Sequence, residues 1–161
     1  RETPAMPLRM LNHWDNMDLS FAKTGEAVER GYAGASVFDW TRPFAEQPRV
    51  WELARLYASI GLNACCINNV NADPRYLTDD AFGKLEELAG IFREWGIQLW
   101  ISVNFAAPMS LGGLDTADPL DAGVEAWWRE RVEKLFGLIP DFGGFLVKAN
   151  SEGEPGPNEW Q

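Results

Sequence analysis

Polar side chains of the kinds that transfer protons and bind anions follow an apolar run near the end of the chain. The run at residues 145–147 predicts a buried strand, and residues 148–152 then supply a cation, an amide, a hydroxyl and a carboxylate, in that order. The glycines and prolines within residues 153–157 exclude a helix or a strand there. Barrel enzymes present catalytic groups on irregular loops that directly follow a strand, although an ordinary solvated loop is the alternative.

The elements that would position this segment alternate along the chain between apolar runs and helical periodicity. Apolar runs predict strands at residues 8–12, 62–67, 97–103 and 145–147. Apolar residues at helical spacing predict three helices between them: Val50, Leu53, Ala54, Tyr57 and Ile60; Phe82, Leu85, Leu88, Ala89, Phe92 and Trp95; and Val124, Trp128, Val132, Leu135 and Ile139. Gly61 and Gly96 are expected to end the first two helices, and the second is expected to begin near Thr78.

This alternation predicts an α/β fold with a parallel sheet. The strands are apolar runs rather than alternating ones, which fits a parallel sheet that is covered on both faces. No Gly-x-Gly-x-x-Gly motif follows the first strand, so a dinucleotide-binding fold loses its best signature. Each strand instead ends in polar or aromatic residues, and functional groups spread over all the strand ends are typical of a barrel. Because a closed barrel needs eight strands and roughly 250 residues, the strands predicted here make half of one.

The segment before the first predicted helix shows no clear periodicity. Residues 17–34 are polar and contain glycine, which predicts a long loop with at most a helical turn near residues 25–29. Residues 36–40 could add a short extended piece. This segment therefore contributes little to the predicted fold.

Composition and charge restrict the partners of this chain. With 161 residues, of which 46% are hydrophobic, one domain with a substantial core is expected. The formal net charge of −10 argues against nucleic acid and anionic membrane surfaces as partners. No stretch approaches the run of about 18 apolar residues that spans a bilayer. Eight tryptophans suit a core, but flat aromatic faces also line sugar-binding clefts.

The two cysteines, Cys65 and Cys66, are adjacent, so in a strand their side chains point to opposite faces and an ordinary disulfide between them is not expected. The single histidine, His13, is far from them in sequence. No zinc-ligand spacing is therefore present. Neither a metal nor a cofactor is expected. The localisation stays open; unpaired cysteines and the lack of a signal peptide at the start of this chain favour the cytoplasm.

Four motifs occur in the order in which glycoside hydrolase family 67 carries them. They are His13-Trp14-Asp15-Asn16, Glu29-Arg30-Gly31-Tyr32-Ala33-Gly34, Asn68-Asn69-Val70-Asn71-Ala72 and Val147-Lys148-Ala149-Asn150-Ser151-Glu152-Gly153-Glu154-Pro155-Gly156-Pro157. The similarity runs through nearly all of the chain, and the final motif is specific. The chain therefore resembles the α-glucuronidases of this family, which act in xylan breakdown.

The resemblance implies that residues 1–161 form the first half of a (β/α)8 catalytic barrel, about its first four βα units. The family normally carries a β-rich domain before the barrel and a helical domain after it; these domains and the second half of the barrel lie outside this chain. The implied reaction removes glucuronic acid or its 4-O-methyl ether from the terminal xylose of xylooligosaccharides, with inversion. The expected partner is therefore an aldouronic xylooligosaccharide, and the full-length protein could also form a homodimer.

Glu152 occupies the position of the general acid in this family. An inverting glycosidase pairs such an acid with a carboxylate that activates water, roughly 6.5–9.5 Å away. Glu154 is the alternative acid, but Glu152 lies nearer to the predicted strand. The basic carboxylates of the family lie on later strands, which this chain lacks. The loop between Asp18 and Glu29 also looks longer than the family pattern, which predicts a remodelled rim.

Four further residues carry contacts with substrate that the resemblance implies. Lys148 is a substrate-binding residue in the family, and a fixed cation at a strand end suits a uronic carboxylate; a surface lysine is the alternative. Trp14 and Val70 correspond to residues that line the sugar pocket, although Trp14 could instead pack against the rim. His13 could hydrogen-bond substrate or serve as a structural histidine. The asparagines of the third motif are expected to cap strands or fix loops rather than to catalyse.

Two alternatives to an α-glucuronidase stay open. One is another barrel glycosidase that acts on a neutral sugar, against which Lys148 argues; the other is a barrel fragment that binds sugar without turning it over. For residues 1–161 expressed alone we expect no activity and self-association, because four parallel strands cannot close a barrel and leave open sheet edges. Light scattering combined with an oligosaccharide assay tests this, and a stable monomer with α-glucuronidase turnover would contradict it.

Overall fold

Four parallel strands form one sheet in chain order. The computed structural model describes residues 4–17 and 36–148. The strands are β1 (Met10–Asp15), β2 (Ala64–Asn68), β3 (Gln98–Val103) and β4 (Gly144–Val147). They are hydrogen-bonded in the order β1-β2-β3-β4, and each neighbouring pair is parallel. A doubly wound sheet reverses its strand order at a switch point. This sheet advances in one direction instead, so the mixed α/β structure is consistent with part of a barrel.

Helices connect successive strands. They are α1 (Pro48–Ser59), α2 (Asp79–Glu94), the short α3 (Ala107–Ser110) and α4 (Ala122–Leu138). Two 3₁₀ turns, Phe44–Glu46 and Pro74–Leu77, precede α1 and α2. The three long helices confirm the predicted ones, whereas α3 and the two 3₁₀ turns were not predicted. In the part of the chain that the structure describes, no helix is both long and apolar enough to cross a membrane.

The helix ends follow from local sequence. The Thr78 hydroxyl accepts the N–H of Ala81 at 3.3 Å and caps α2, as its type and position predict. Gly61 and Gly96 follow α1 and α2 with φ of 82° and 69°, a left-handed conformation that glycine adopts without strain. The predicted stops are therefore confirmed, and they return the chain to the sheet.

Two residues assigned to the buried stripes are in fact exposed. Ile60 is 65% exposed and Trp95 is 37% exposed. Each occupies the C-cap position, of α1 and α2 respectively, where the chain leaves the helical path. Their side chains therefore do not point in the same direction as the apolar side chains of the preceding helical turns.

The first strand lies further along the chain than predicted. β1 covers residues 10–15 instead of 8–12, so His13, Trp14 and Asp15 belong to the strand rather than to a loop after it. Residues 36–40 form no strand, yet Phe38 and Trp40 are 1% and 5% exposed and pack into the core. The helical turn predicted at residues 25–29 lies outside the described residues.

The two faces of the sheet differ in chemistry, since successive side chains of a strand point to opposite faces. The face toward the helices is apolar: Cys65 and Ile67 of β2 and Leu99, Ile101 and Val103 of β3 join the helical residues in one hydrophobic core. The opposite face carries Cys66, Asn68 and Ser102, all buried. Both cysteines are free and buried, and they lie on opposite faces, as expected.

The Asn68 side chain takes the place of the main chain in the β2–β3 ladder. Main-chain pairing of the two strands runs from Ala64 and Gln98 to Cys66 and Trp100. At the next step Asn68 Oδ1 accepts the N–H of Ser102 at 2.6 Å, and Asn68 Nδ2 donates to the carbonyl of Ser102 at 3.0 Å. The strands can thus separate at this edge without leaving buried main-chain groups unpaired. The asparagine fixes local structure, as its motif position suggested.

Replacing Asn68 with alanine is therefore expected to destabilise the domain by about 3 kcal/mol, because it leaves a buried N–H and a buried carbonyl without partners. For a domain of this size that corresponds to a fall in Tm of roughly 6–12 °C. Thermal unfolding of the full-length protein, followed by circular dichroism, measures it, because residues 1–161 alone are expected to self-associate. Gln98→Ala is the matched control, because the Gln98 amide donates a single bond, at 3.2 Å, to an exposed carbonyl at the other end of β3; a control that loses as much would contradict the prediction.

Candidate active site

The loops that follow three of the strands are joined by a chain of amide groups at the carboxyl edge, the sheet edge where the parallel strands end. Asn69 Nδ2 donates to Asn16 Oδ1 at 3.2 Å, which connects the loops after β2 and β1. Asn69 Oδ1 accepts the N–H of Asn71 at 2.9 Å. Asn71 Oδ1 in turn accepts a hydrogen bond from Lys148 Nζ at 2.6 Å, which brings in the residue after β4. Residues far apart in sequence thus share one buried network.

The loop after β3 joins the same edge through Asn104. Its Nδ2 donates to the carbonyl of Ala72 at 3.3 Å, and its Oδ1 accepts the N–H of Ala106 at 2.8 Å. The first contact holds the end of the β2 loop, and the second starts the turn into α3. Within the described residues, side chains that follow all four strands thus lie at one edge of the sheet.

Lys148 is half-buried at this edge. Its partner Asn71 is 4% exposed, so the ammonium group is hydrogen-bonded to a buried amide oxygen. An amide oxygen orients the ammonium without neutralising its charge, in contrast to a carboxylate. This contact holds the Lys148 ammonium after the end of β4, at the same sheet edge as the amides of the other loops.

Trp14 has an unusual main-chain conformation. Its φ is 61°, the only positive value at a non-glycine residue within the described residues. The pairing of β1 with β2 shifts register between Asn12 and Asp15, as at a β-bulge, and bulges turn a side chain in a new direction. A bulky residue in the left-handed region costs about 1–3 kcal/mol, and such strain concentrates at functional sites. Trp14 is also the residue for which the resemblance implies a place in the sugar pocket, which stays a prediction.

His13 lies within β1 and faces the helices. Its Nδ1 is hydrogen-bonded to the hydroxyl of Tyr57 on α1 at 2.8 Å, and its ring meets Phe38 edge-on at a centroid distance of 5.7 Å. Nε2 lies 3.5 Å from Asp15 Oδ2. These are the contacts of a structural histidine, which was one of the two alternatives. A direct contact with substrate stays a prediction.

Val70 lies between two anchored residues. Asn69 and Asn71 on either side are buried and hydrogen-bonded, so the main chain at Val70 is held at the carboxyl edge, where its side chain is half-buried. Glu152 and its alternative Glu154 lie outside the described residues. Of the five predicted site residues, the structure therefore describes four, three of them (Trp14, Val70 and Lys148) near the strand ends.

Asp15 is the residue that sequence reasoning left without a role. It is 0% exposed, and its Oδ2 accepts the N–H groups of Val37 and Phe38. An acidic residue inside a strand is a signal for a functional or supporting role. The predicted first strand ends at residue 12, so Asp15 did not count as a strand residue. Its buried position makes it part of the support of the site.

The buried thiols do not supply a nucleophile. Desolvation raises the pKa of the Cys65 and Cys66 thiols and of the neighbouring Tyr57 phenol. At neutral pH all three groups therefore keep their protons. Within residues 4–17 and 36–148 no three His, Cys, Asp or Glu side chains come together as a metal site would need. The polar groups of the carboxyl edge remain the best candidates for chemistry.

Comparison with known proteins identifies the family. The model of the glycosyl hydrolase family 67 middle domain matches residues 1–161. The chain belongs to glycoside hydrolase family 67. Among its relatives it is similar to α-glucuronidase A of Emericella nidulans, with 51% identity over 96% of this chain. It is also similar to the α-glucuronidase of Hypocrea jecorina, with 46% identity over 96% of the chain, and to α-glucuronidase A of Aspergillus tubingensis, with 47% identity over 98%.

Membership of family 67 confirms the resemblance that the four motifs carried. The chain spans 18% of the length of each of these three curated relatives. All three relatives are named α-glucuronidases.

Proposed function

We propose that this chain is the first half of the (β/α)8 catalytic barrel of an inverting α-glucuronidase. The enzyme removes glucuronic acid or its 4-O-methyl ether from the terminal xylose of xylooligosaccharides. The one-directional strand order and the match to the family's middle domain support the barrel. The observation that carries the substrate is the Lys148–Asn71 contact at the carboxyl edge, because it directs a cation to the place where barrel enzymes bind substrate.

Lys148 binds the uronic carboxylate in this proposal. A hydrogen bond between an ammonium and a carboxylate is about twice as strong as one between neutral groups. The bond to Asn71 orders the lysine before substrate arrives, so less side-chain entropy is lost on binding. A neutral sugar offers no charge to this cation, and the proposed enzyme therefore favours glucuronides over glucosides and xylosides.

Trp14 and Val70 shape the remainder of the sugar site. The left-handed conformation of Trp14 at the end of β1 supports a role as a flat surface against a pyranose ring. Val70 adds an apolar wall that is held from both sides by the asparagine network. The walls fix the position of the ring while the lysine fixes its orientation, which is the division that small-molecule sites use.

Glu152 is the proposed general acid. It protonates the glycosidic oxygen as the bond to the xylose breaks, and a carboxylate elsewhere takes a proton from the attacking water on the opposite face of the sugar. That carboxylate is proposed to lie on a later strand, outside residues 1–161. In this single displacement water replaces xylose at the anomeric carbon with inversion, and the reaction needs neither a metal nor an organic cofactor.

The experiment is a parallel assay of the full-length enzyme on aldouronic oligosaccharides, on polymeric glucuronoxylan and on a matched oligosaccharide with a neutral α-linked sugar. We expect release of uronic acid from the oligosaccharides, little release from the polymer and no turnover of the neutral compound. Equal turnover of the neutral sugar would overturn the substrate assignment. Binding of every compound without hydrolysis would favour a sugar-binding protein.

The role of Asn71 gives a sharper prediction. Asn71→Asp places a carboxylate next to Lys148 that competes with the substrate carboxylate, so KM for an aldouronic oligosaccharide should rise about tenfold. The methyl ester of the same substrate is the control, because it does not need the positive charge, and its KM should hardly change. Steady-state kinetics on both substrates measures this. Equal increases for acid and ester would mean that the substitution acts by distorting the loop.

A further inference from the structure

A fully buried carboxylate lies next to the strained Trp14 and takes no part in the proposed chemistry. Asp15 is 0% exposed, and its Oδ2 accepts hydrogen bonds from the N–H groups of Val37 and Phe38 at 2.5 and 3.3 Å. Its Oδ1 is buried and finds no hydrogen-bond partner within the described residues. A buried carboxylate is costly unless donors fix it, so the two N–H groups hold Asp15 in one place.

The residues on both sides of Trp14 are anchored to different parts of the fold. On one side, the carbonyl of Asp15 accepts the N–H of Asn69 at 2.8 Å, which ties it to the loop after β2. On the other side, His13 is hydrogen-bonded to Tyr57 at 2.8 Å on α1. Because both neighbours are fixed, Trp14 must accommodate the register shift between β1 and β2. It does so by adopting a φ of 61°.

We propose that Asp15 is a positioning residue for sugar binding. By holding residues 37–38 against the end of β1, its carboxylate fixes the left-handed conformation of Trp14 and so sets where the indole meets the pyranose ring. This inference rests on the proposed function for the identity of the ligand, a glycoside with a pyranose ring. The conformational part, in which Asp15 controls Trp14, stands independently of it.

The structure supplies a close control for the charge. Asp39 lies in the same loop and also accepts hydrogen bonds, but from Thr41, at 3.0 Å to the main-chain N–H and 2.6 Å to the hydroxyl. Within the described residues, the Asp39 side chain forms no hydrogen bond with β1. Asp39→Asn therefore removes an acid from this loop without releasing Trp14.

The test uses the full-length enzyme labelled with 5-fluorotryptophan, in which Trp14→Phe assigns the ¹⁹F resonance of Trp14. In Asp15→Asn we expect that resonance to shift or broaden, and KM for an aldouronic oligosaccharide to rise roughly ten- to a hundredfold with kcat little changed. Asp39→Asn should change neither. In a Trp14→Ala background, Asp15→Asn should add almost nothing, since it acts through the missing indole.

An unchanged ¹⁹F resonance in folded Asp15→Asn, or losses that add in the double variant, would overturn the inference. Val37→Pro removes one donor to Asp15 without altering β1, and it carries the same test if Asp15→Asn does not fold. The two proposals fail in different ways. If the wild-type enzyme releases no uronic acid, the proposed function is wrong. If the wild-type enzyme releases uronic acid normally but the Trp14 resonance is unchanged in Asp15→Asn, only the role of Asp15 is wrong.

Discussion

Glu152→Gln in the full-length enzyme is expected to slow the hydrolysis of aldouronic oligosaccharides by about 10²–10⁴-fold, the usual contribution of a general acid. Xylose is a poor leaving group whose oxygen must be protonated as the bond breaks. An aryl glucuronide with an acidic phenol departs without that help, so its turnover should fall far less. The comparison of kcat/KM for the two substrates measures the effect.

Glu154→Gln is the matched control for this experiment. It removes a carboxyl of the same kind from the same motif, and under our assignment it leaves the ratio between the two substrates near that of the wild-type enzyme. If Glu154→Gln shows the selective loss and Glu152→Gln does not, the acid is Glu154. Equal losses on both substrates in Glu152→Gln would show that Glu152 is not the acid.

Lys148→Ala is expected to weaken binding of a uronic acid by about ten- to a hundredfold, the contribution of roughly 1.5–3 kcal/mol that a hydrogen bond to a charged group makes. The loss for the corresponding ester or amide should be clearly smaller, because the neutral group gains little from the cation. Inhibition constants of glucuronic acid and its amide against the full-length enzyme measure both.

Lys134→Ala serves as the control for charge alone. Lys134 on α4 pairs with Asp79 at the start of α2 at 2.6 Å, and within the described residues it has no bond to Lys148 or Asn71, so its removal should leave both inhibition constants unchanged. Identical losses for the acid and the amide in Lys148→Ala would mean that the lysine only supports its loop through Asn71. The ratio between the two ligands therefore decides the role.

The helical half of the fold could be predicted from the sequence because its signals are local. A run of apolar residues at helical spacing, the Thr78 cap and the glycines after α1 and α2 act within a few positions of one another. The errors fell on Ile60 and Trp95, at the C-caps, where spacing no longer describes the direction of a side chain. Helix boundaries are the least reliable part of such a prediction.

The bulge in β1 could not be predicted because no residue type in the strand indicates it. Trp14 takes a positive φ, for which glycine or asparagine would have been the signal. The cause lies elsewhere in the chain, in the register with β2 and in the N–H groups of residues 37–38. As a result, His13 and Asp15 were assigned to a loop, although both lie in the strand.

From the sequence, the asparagine network could be predicted only to the extent that asparagines follow the strands. The sequence places amides after the first three strands, and parallel strands bring these ends to one edge. Which amide meets which depends on register and on side-chain rotamers. The bond between Asn71 and Lys148, 77 positions apart, is of this kind. Sequence reasoning could name the lysine, but it could not identify the residue that orients it.

The most direct test of the proposed function is a ¹H NMR time course of the full-length enzyme with an aldouronic oligosaccharide, started at high enzyme concentration. We predict that free glucuronic acid or its 4-O-methyl ether appears first as the β-anomer, with the undecorated xylooligosaccharide as the second product, and that the α-anomer grows in later by mutarotation. Initial release of the α-anomer would contradict inversion, and the absence of free uronic acid would contradict the assignment of the enzyme as an α-glucuronidase.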